Sequence, residues 1–126
     1  VIDIDNIEHW KNFLKENNQK EPNTVKVSSG SGGIHLYFKY NDDLENIKST
    51  SKCFGSNYDI DIRTNGGCII IPPTKYFNNK LNKKVEYKWE TSIFDKEPKT
   101  LPSWLKKILL EEKNVKKLKK INKSNY

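Results

Sequence analysis

Thr24-Val25-Lys26-Val27-Ser28-Ser29-Gly30-Ser31-Gly32-Gly33-Ile34-His35-Leu36-Tyr37-Phe38-Lys39-Tyr40 alternates with period two on both sides of a glycine-rich break. That pattern predicts a strand over 24–28, a turn over 29–33 and a second strand over 34–40. The turn leads into a strand, where a dinucleotide fingerprint would lead into a helix, and no Gly-Lys-Ser/Thr follows it. Rossmann and Walker A phosphate loops are therefore both excluded.

On the N-terminal side, Val1-Ile2-Asp3-Ile4-Asp5 reads as a short β-branched strand. Asn6 is placed to cap a helix whose apolar side is Ile7, Trp10, Phe13 and Leu14, ending in the polar stretch 16–23. On the C-terminal side, 41–57 reads as a polar loop with one helical turn near Leu44 to Ile47, and Tyr58 to Arg63 as a strand. Thr64-Asn65-Gly66-Gly67 predicts a hairpin turn, and Cys68 to Ile71 a buried strand stopped by Pro72-Pro73. The stretch 75–84 reads as loop and Val85 to Glu90 as an edge strand; Leu101-Pro102-Ser103 opens a helix with Trp104, Leu105, Ile108 and Leu109 on one side.

The 126 residues allow one ordinary domain. Net charge is +7, but six lysines and no acid lie in 113–126, leaving 17 basic against 16 acidic residues over 1–112. A protein that coats nucleic acid with a uniformly basic surface is excluded on that distribution, and any anion site in the body must be local. The expected division is one folded domain over 1–112 and a lysine-rich tail or linker over 113–126. No apolar run nears the roughly 18–20 residues that span a bilayer, so no membrane partner is expected and the chain reads as intracellular. Cys53 and Cys68 form no Cys-x-x-Cys pair and are expected to be reduced structural thiols.

Residues two apart on a strand share a face. Asp3 and Asp5 therefore stand opposite Ile2 and Ile4; His35, Tyr37 and Lys39 stand opposite Ile34, Leu36 and Phe38; Asp59, Asp61 and Arg63 stand opposite Ile60 and Ile62. If helices cover the apolar side, the other face collects Asp3, Asp5, Asp61 or Asp59, His35 and Arg63. Aspartate is a poor strand former, and pairs of it in isoleucine-rich strands break a local rule in the way functional sites do. Clustered carboxylates suit Mg²⁺ or Mn²⁺, and two such ions can drive an in-line phosphoryl displacement while His35 and Arg63 hold the phosphates. His9, His35, Cys53 and Cys68 lack zinc spacing.

Taken in order, Ile2-Asp3-Ile4-Asp5, Ser29-Gly30-Ser31-Gly32-Gly33-Ile34-His35, Asp61-Ile62-Arg63-x-x-Gly66-Gly67-x-Ile69-Ile70-Ile71-Pro72-Pro73-Thr74, Tyr87-x-Trp89 and Leu101-Pro102-x-Trp104-Leu105 form an ordered set. The set resembles the bifunctional DNA primase/polymerase family, the prim-pol branch of the archaeo-eukaryotic primase superfamily. The resemblance implies an α/β (α+β) fold, with a mixed sheet like that of an RNA-recognition fold, helices on one side, and a second small module carrying the Ser/Gly-rich turn. It implies that Asp3, Asp5 and Asp61 are catalytic and hold two Mg²⁺ or Mn²⁺ ions, and that His35 contacts the nucleotide's phosphates. Gly33 stands where related enzymes often have Ser, so a hydroxyl contact would come from Ser29 or Ser31; Arg63 and Thr74 suit phosphate or template contacts. The implied partners are single-stranded DNA template, primer and nucleoside triphosphates, with a helicase domain further along a longer chain that also has a segment upstream of Val1. Location at the site of DNA replication follows from the same resemblance, and the Asn/Lys-heavy composition suits an AT-rich genome such as that of a large DNA virus. Two other readings stand beside it: a non-catalytic single-stranded nucleic-acid-binding module stacking bases on Tyr37, Tyr58 or Trp89 with the lysine tail on phosphates, and a metal-dependent nuclease using the same carboxylates.

Overall fold

The computed structural model describes residues 1–112, so the lysine-rich stretch 113–126 lies outside the described residues. The fold is mixed α+β. Strand β1 (Ile2–Ile4) is followed by helix α1 (Ile7–Glu16), β2 (Val25–Ser28), β3 (Ile34–Lys39), a 3-10 turn (Asp42–Leu44) and β4 (Ile60–Ile62). Then come β5 (Lys75–Asn78), β6 (Lys83–Glu86), β7 (Lys88–Thr91), β8 (Lys99–Thr100) and a helix, α2, over 103–112.

The main sheet runs β4-β1-β3-β2-β7 with antiparallel neighbours, and β8 adds parallel to the end of β3. Strands β1 and β2, joined through α1, enclose β3, which is the split βαβ arrangement and matches the expected RNA-recognition-like sheet. Helix α1 begins where Asn6 Oδ1 accepts the His9 N–H at 3.1 Å.

Both helices cover one face. Trp10 and Phe13 of α1 and Leu105 and Leu109 of α2 pack with Ile2, Ile4, Ile34, Leu36, Ile60 and Ile62 in one core. Phe13 is its hub, stacked on Phe54 at 4.6 Å and edge-on to Tyr58 at 5.2 Å. Each fully buried side chain of this kind contributes about 1.5–3 kcal/mol. The opposite face carries a smaller cluster, Val25, Val27 and Tyr37, covered by Val1, Ile69, Tyr87 and Trp89.

Several sequence expectations need correction. Cys68 to Ile71 is not a buried strand: Cys68 is exposed, Ile70 and Ile71 are about half exposed, and only Ile69 packs inward. A β-branched run suits any extended chain, and this one finds no partner strand among the described residues. Instead of a loop, 75–84 supplies most of a two-stranded hairpin, β5–β6. The predicted edge strand 85–90 divides at Tyr87 into the end of β6 and the true edge strand, β7. The Ser/Gly-rich turn does not belong to a second module; it joins β2 to β3 within the one sheet.

Candidate active site

Antiparallel register places Asp61, Asp3, His35, Val27 and Trp89 as successive cross-strand partners from β4 to β7. Neighbouring strands stand about 4.8 Å apart, so one row across the sheet brings these residues, distant in sequence, side by side on the face away from the helices. Asp5 lies one residue beyond β1. Its N–H donates to the Asp59 carbonyl at 3.0 Å, which keeps it beside Asp3.

One ligand oxygen from each of Asp3, Asp5 and Asp61 lies within 4.8 Å of the others. This donor set, hard and anionic, is the kind that would hold a Mg²⁺ or Mn²⁺ ion. The electrostatics agree. Burial first, then the charges of Asp3, Asp61 and Asp59, push the Asp5 carboxyl up to about 6, with His35 opposing. A bound divalent cation would relieve this repulsion.

Asp61 is the most firmly held of the three. Its Oδ1 accepts the Lys52 N–H at 2.9 Å and its Oδ2 accepts from Arg63 Nη2 at 3.1 Å. The choice left open in the sequence thus falls on Asp61, while Asp59 turns aside to His9 at 3.7 Å and Lys52 at 3.8 Å.

His35 is 5% exposed, with Nε2 3.3 Å from Asp3 Oδ1 and Nδ1 buried with no hydrogen-bond partner among the described residues. Tyr87 packs against its ring at 5.7 Å, and Tyr76 lies 5.5 Å beyond Tyr87. Burial, then Tyr76 and the Asp3 charge, push the Tyr87 hydroxyl up, so it keeps its proton beside the carboxylates.

Ser29 is buried, and its Oγ accepts the Gly33 N–H at 3.0 Å while sharing a 3.1 Å hydrogen bond with Ser31. Its hydroxyl is thus engaged inside the turn, whereas Ser31 opens onto a cleft of about 630 Å³ bounded by Asp5, Asp59 and residues 76–81 of the hairpin. Gly33 has a steric reason: a Cβ there would meet the Ile4 carbonyl oxygen at 2.7 Å. Thr74 is exposed at the start of β5, where its carbonyl accepts the Tyr87 N–H at 2.9 Å; no hydrogen bond ties its side chain to the carboxylates among the described residues.

The aromatic residues named for base stacking are packed instead. Tyr37 is 8% exposed and meets Trp89 edge-on at 5.6 Å, and Tyr58 packs on Phe13 with its hydroxyl on Glu16. Sequence reading missed Tyr76 and the hairpin wall, and had Tyr87 only in the motif Tyr87-x-Trp89, not beside His35; the adjacent β-formers Tyr76-Phe77, bounded by Asn78-Asn79, were the available signal.

A family model described as bifunctional DNA primase/polymerase, N-terminal, matches residues 1–104. Neither a curated protein nor a solved structure matches the chain. Among the described residues no helix is long and apolar enough to cross a membrane.

Proposed function

The chain belongs to the bifunctional DNA primase/polymerase family, and from that membership we propose that it catalyses template-directed nucleotidyl transfer in DNA replication, by a two-metal mechanism at Asp3, Asp5 and Asp61. The observation that carries this reading is the approach of three carboxylates within 4.8 Å on adjoining strands. Family enzymes generally use divalent metals. Mg²⁺ or Mn²⁺ bound there would activate the attacking 3′-hydroxyl and neutralise charge on the leaving pyrophosphate.

The chain's own residues orient that chemistry. Asp61, held by the Lys52 N–H and Arg63, is the fixed ligand, and Asp5, the most exposed of the three, is the adjustable one. Arg63 uses one guanidinium nitrogen on Asp61, leaving the rest of its donor fork for a phosphate oxygen. His35 steadies Asp3 through Nε2, and its unpartnered Nδ1 is the buried group left for a triphosphate oxygen. As an imidazolium it would donate at both nitrogens, one to Asp3 and one to the phosphate. Ser31 opens onto the same cleft and is the better placed of the two serines for a hydroxyl contact; Ser29 shapes the turn, and Thr74 is kept for a phosphate or template contact.

In the transfer, the 3′-oxygen of the primer, or of a first nucleotide, forms a bond to the α-phosphorus as the bond to the β-phosphate oxygen breaks. The hydroxyl proton leaves to solvent or a neighbouring base, and pyrophosphate departs. The test is incorporation on primed and unprimed single-stranded templates, with Mg²⁺ or Mn²⁺, beside the Asp3→Ala/Asp5→Ala variant. Products lengthened by the wild type and absent with the variant are expected; template binding without any incorporation would overturn the reading in favour of a binding module.

A further inference from the structure

Hairpin β5–β6 stands apart from the main sheet, its strands pairing only with each other among the described residues. Packing nevertheless sets its position over the carboxylates. Val85 is 7% exposed, Tyr76 meets Tyr87 at 5.5 Å, and Gly30 passes so close beneath β6 that a Cβ there would lie 2.6 Å from the Glu86 carbonyl oxygen. The hairpin therefore forms one wall of the 630 Å³ cleft whose other wall includes Asp5 and Asp59.

The two walls differ in charge. Residues 75–86 contain Lys75, Lys80, Lys83 and Lys84 against the single acid Glu86, in a described chain that is otherwise close to neutral. All four lysines are exposed. Register sets Phe77 directly opposite Lys84, and Phe77 is 56% exposed although it lies in a β-strand with a packed face available. A ring left more than half exposed next to cations contributes little burial to the fold. It does match the combination that holds single strands: a π-face for a base and ammonium groups for phosphates. The acidic wall would repel the same backbone except where cations are bound, so a strand lying on the hairpin meets the carboxylates only at the reacting end.

Resting on the nucleotidyl-transfer reading above, we infer that hairpin β5–β6 is the grip for single-stranded DNA at the mouth of this cleft. Phe77 stacks a base, and Lys84, its cross-strand partner on the same face, holds the phosphates together with Lys80 of the turn.

The test is fluorescence anisotropy of a labelled mixed-sequence single-stranded DNA with the full chain, in chelator and without nucleotide, over a series of salt concentrations. Phe77→Ala is expected to weaken binding about tenfold, and Phe77→Trp to restore it. Replacing Lys80 and Lys84 together by Ala is expected to lower the slope of log K against log salt by about 1.4, at about 0.7 per phosphate released. Unchanged affinity and slope in both variants, or no binding by the wild type, would overturn the grip. Primer extension separates this from the catalytic reading. Hairpin variants that extend and bind like the wild type, while Asp3→Ala/Asp5→Ala is silent, reject the grip alone. Hairpin-dependent binding by a chain that incorporates no nucleotide keeps the grip and rejects the catalysis.

Discussion

His35 Nε2 lies 3.3 Å from Asp3 Oδ1, and the two residues are direct cross-strand partners on β3 and β1. The pairing ties the residue assigned to the phosphates to a residue assigned to the metal. His35→Ala is therefore expected to lower kcat/KM for the nucleoside triphosphate by tenfold or more, the loss of about 1.4 kcal/mol that one charge-assisted hydrogen bond represents. Steady-state kinetics at saturating primer-template checks it, and unchanged kcat/KM would remove His35 from the site.

Asp61 holds its place through two hydrogen bonds, so its loss would remove the most firmly held of the proposed ligands. Asp61→Asn keeps the size and the Lys52 N–H contact while deleting the charge. Incorporation should fall by about 10³-fold, as expected when several kcal/mol of metal-assisted charge stabilisation are lost. The melting temperature in chelator should change little by comparison.

Asp5 sits at about 6, above its ordinary 3.8. The folded chain thus holds this proton more tightly than the unfolded one. Its contribution to stability is fully present below the ordinary value and is lost as pH rises from 3.8 to about 6. Asp5→Asn should therefore stabilise the chelated protein at neutral pH, by about 1 kcal/mol once solvent screening of this exposed group is allowed for, and have little effect in acid. Thermal melts at the two pH values check the sign. Adding Mg²⁺ should raise the melting temperature of the wild type more than that of the variant, since the ion relieves the same repulsion.

Gly33 faces the Ile4 carbonyl oxygen, with room for a hydrogen but not for a methyl group. Gly33→Ala should cost about 1–3 kcal/mol, the usual range for overpacking. It should also reduce incorporation, because the displaced backbone carries Asp3 and Asp5. Denaturant melts and extension assays on the same preparation check both. A variant of wild-type stability would mean that the turn yields more easily than its contacts imply.

The carboxylate row was largely legible. Asp3, Asp5, Asp61, His35 and Arg63 sit in runs of period two, and alternation assigns each to a face without knowledge of any partner strand. The faces held, with one change: Tyr37, on the polar side of β3, is buried under Trp89 because that side carries its own small apolar cluster. The capped helix α1 and the one-sided apolar pattern of α2 were equally readable, since Asn6 and the three-to-four spacing act within a few residues.

Sequence by itself determined which residues share a face, where the chain turns, and which family's motifs the chain carries, because strand and helix periods are properties of the local backbone. Alternation alone left Asp59 and Asp61 on one face and the family motif pointed to Asp61; the register of β4 against β1 is what sets Asp61 directly across from Asp3. Only the tertiary structure decided that Cys68 to Ile71 stays unpaired at the surface while the lysine-rich stretch 75–86 forms a hairpin over the site. Strand pairing is a contest between segments far apart in the chain, settled by which partner buries and hydrogen-bonds best; no single segment encodes the outcome.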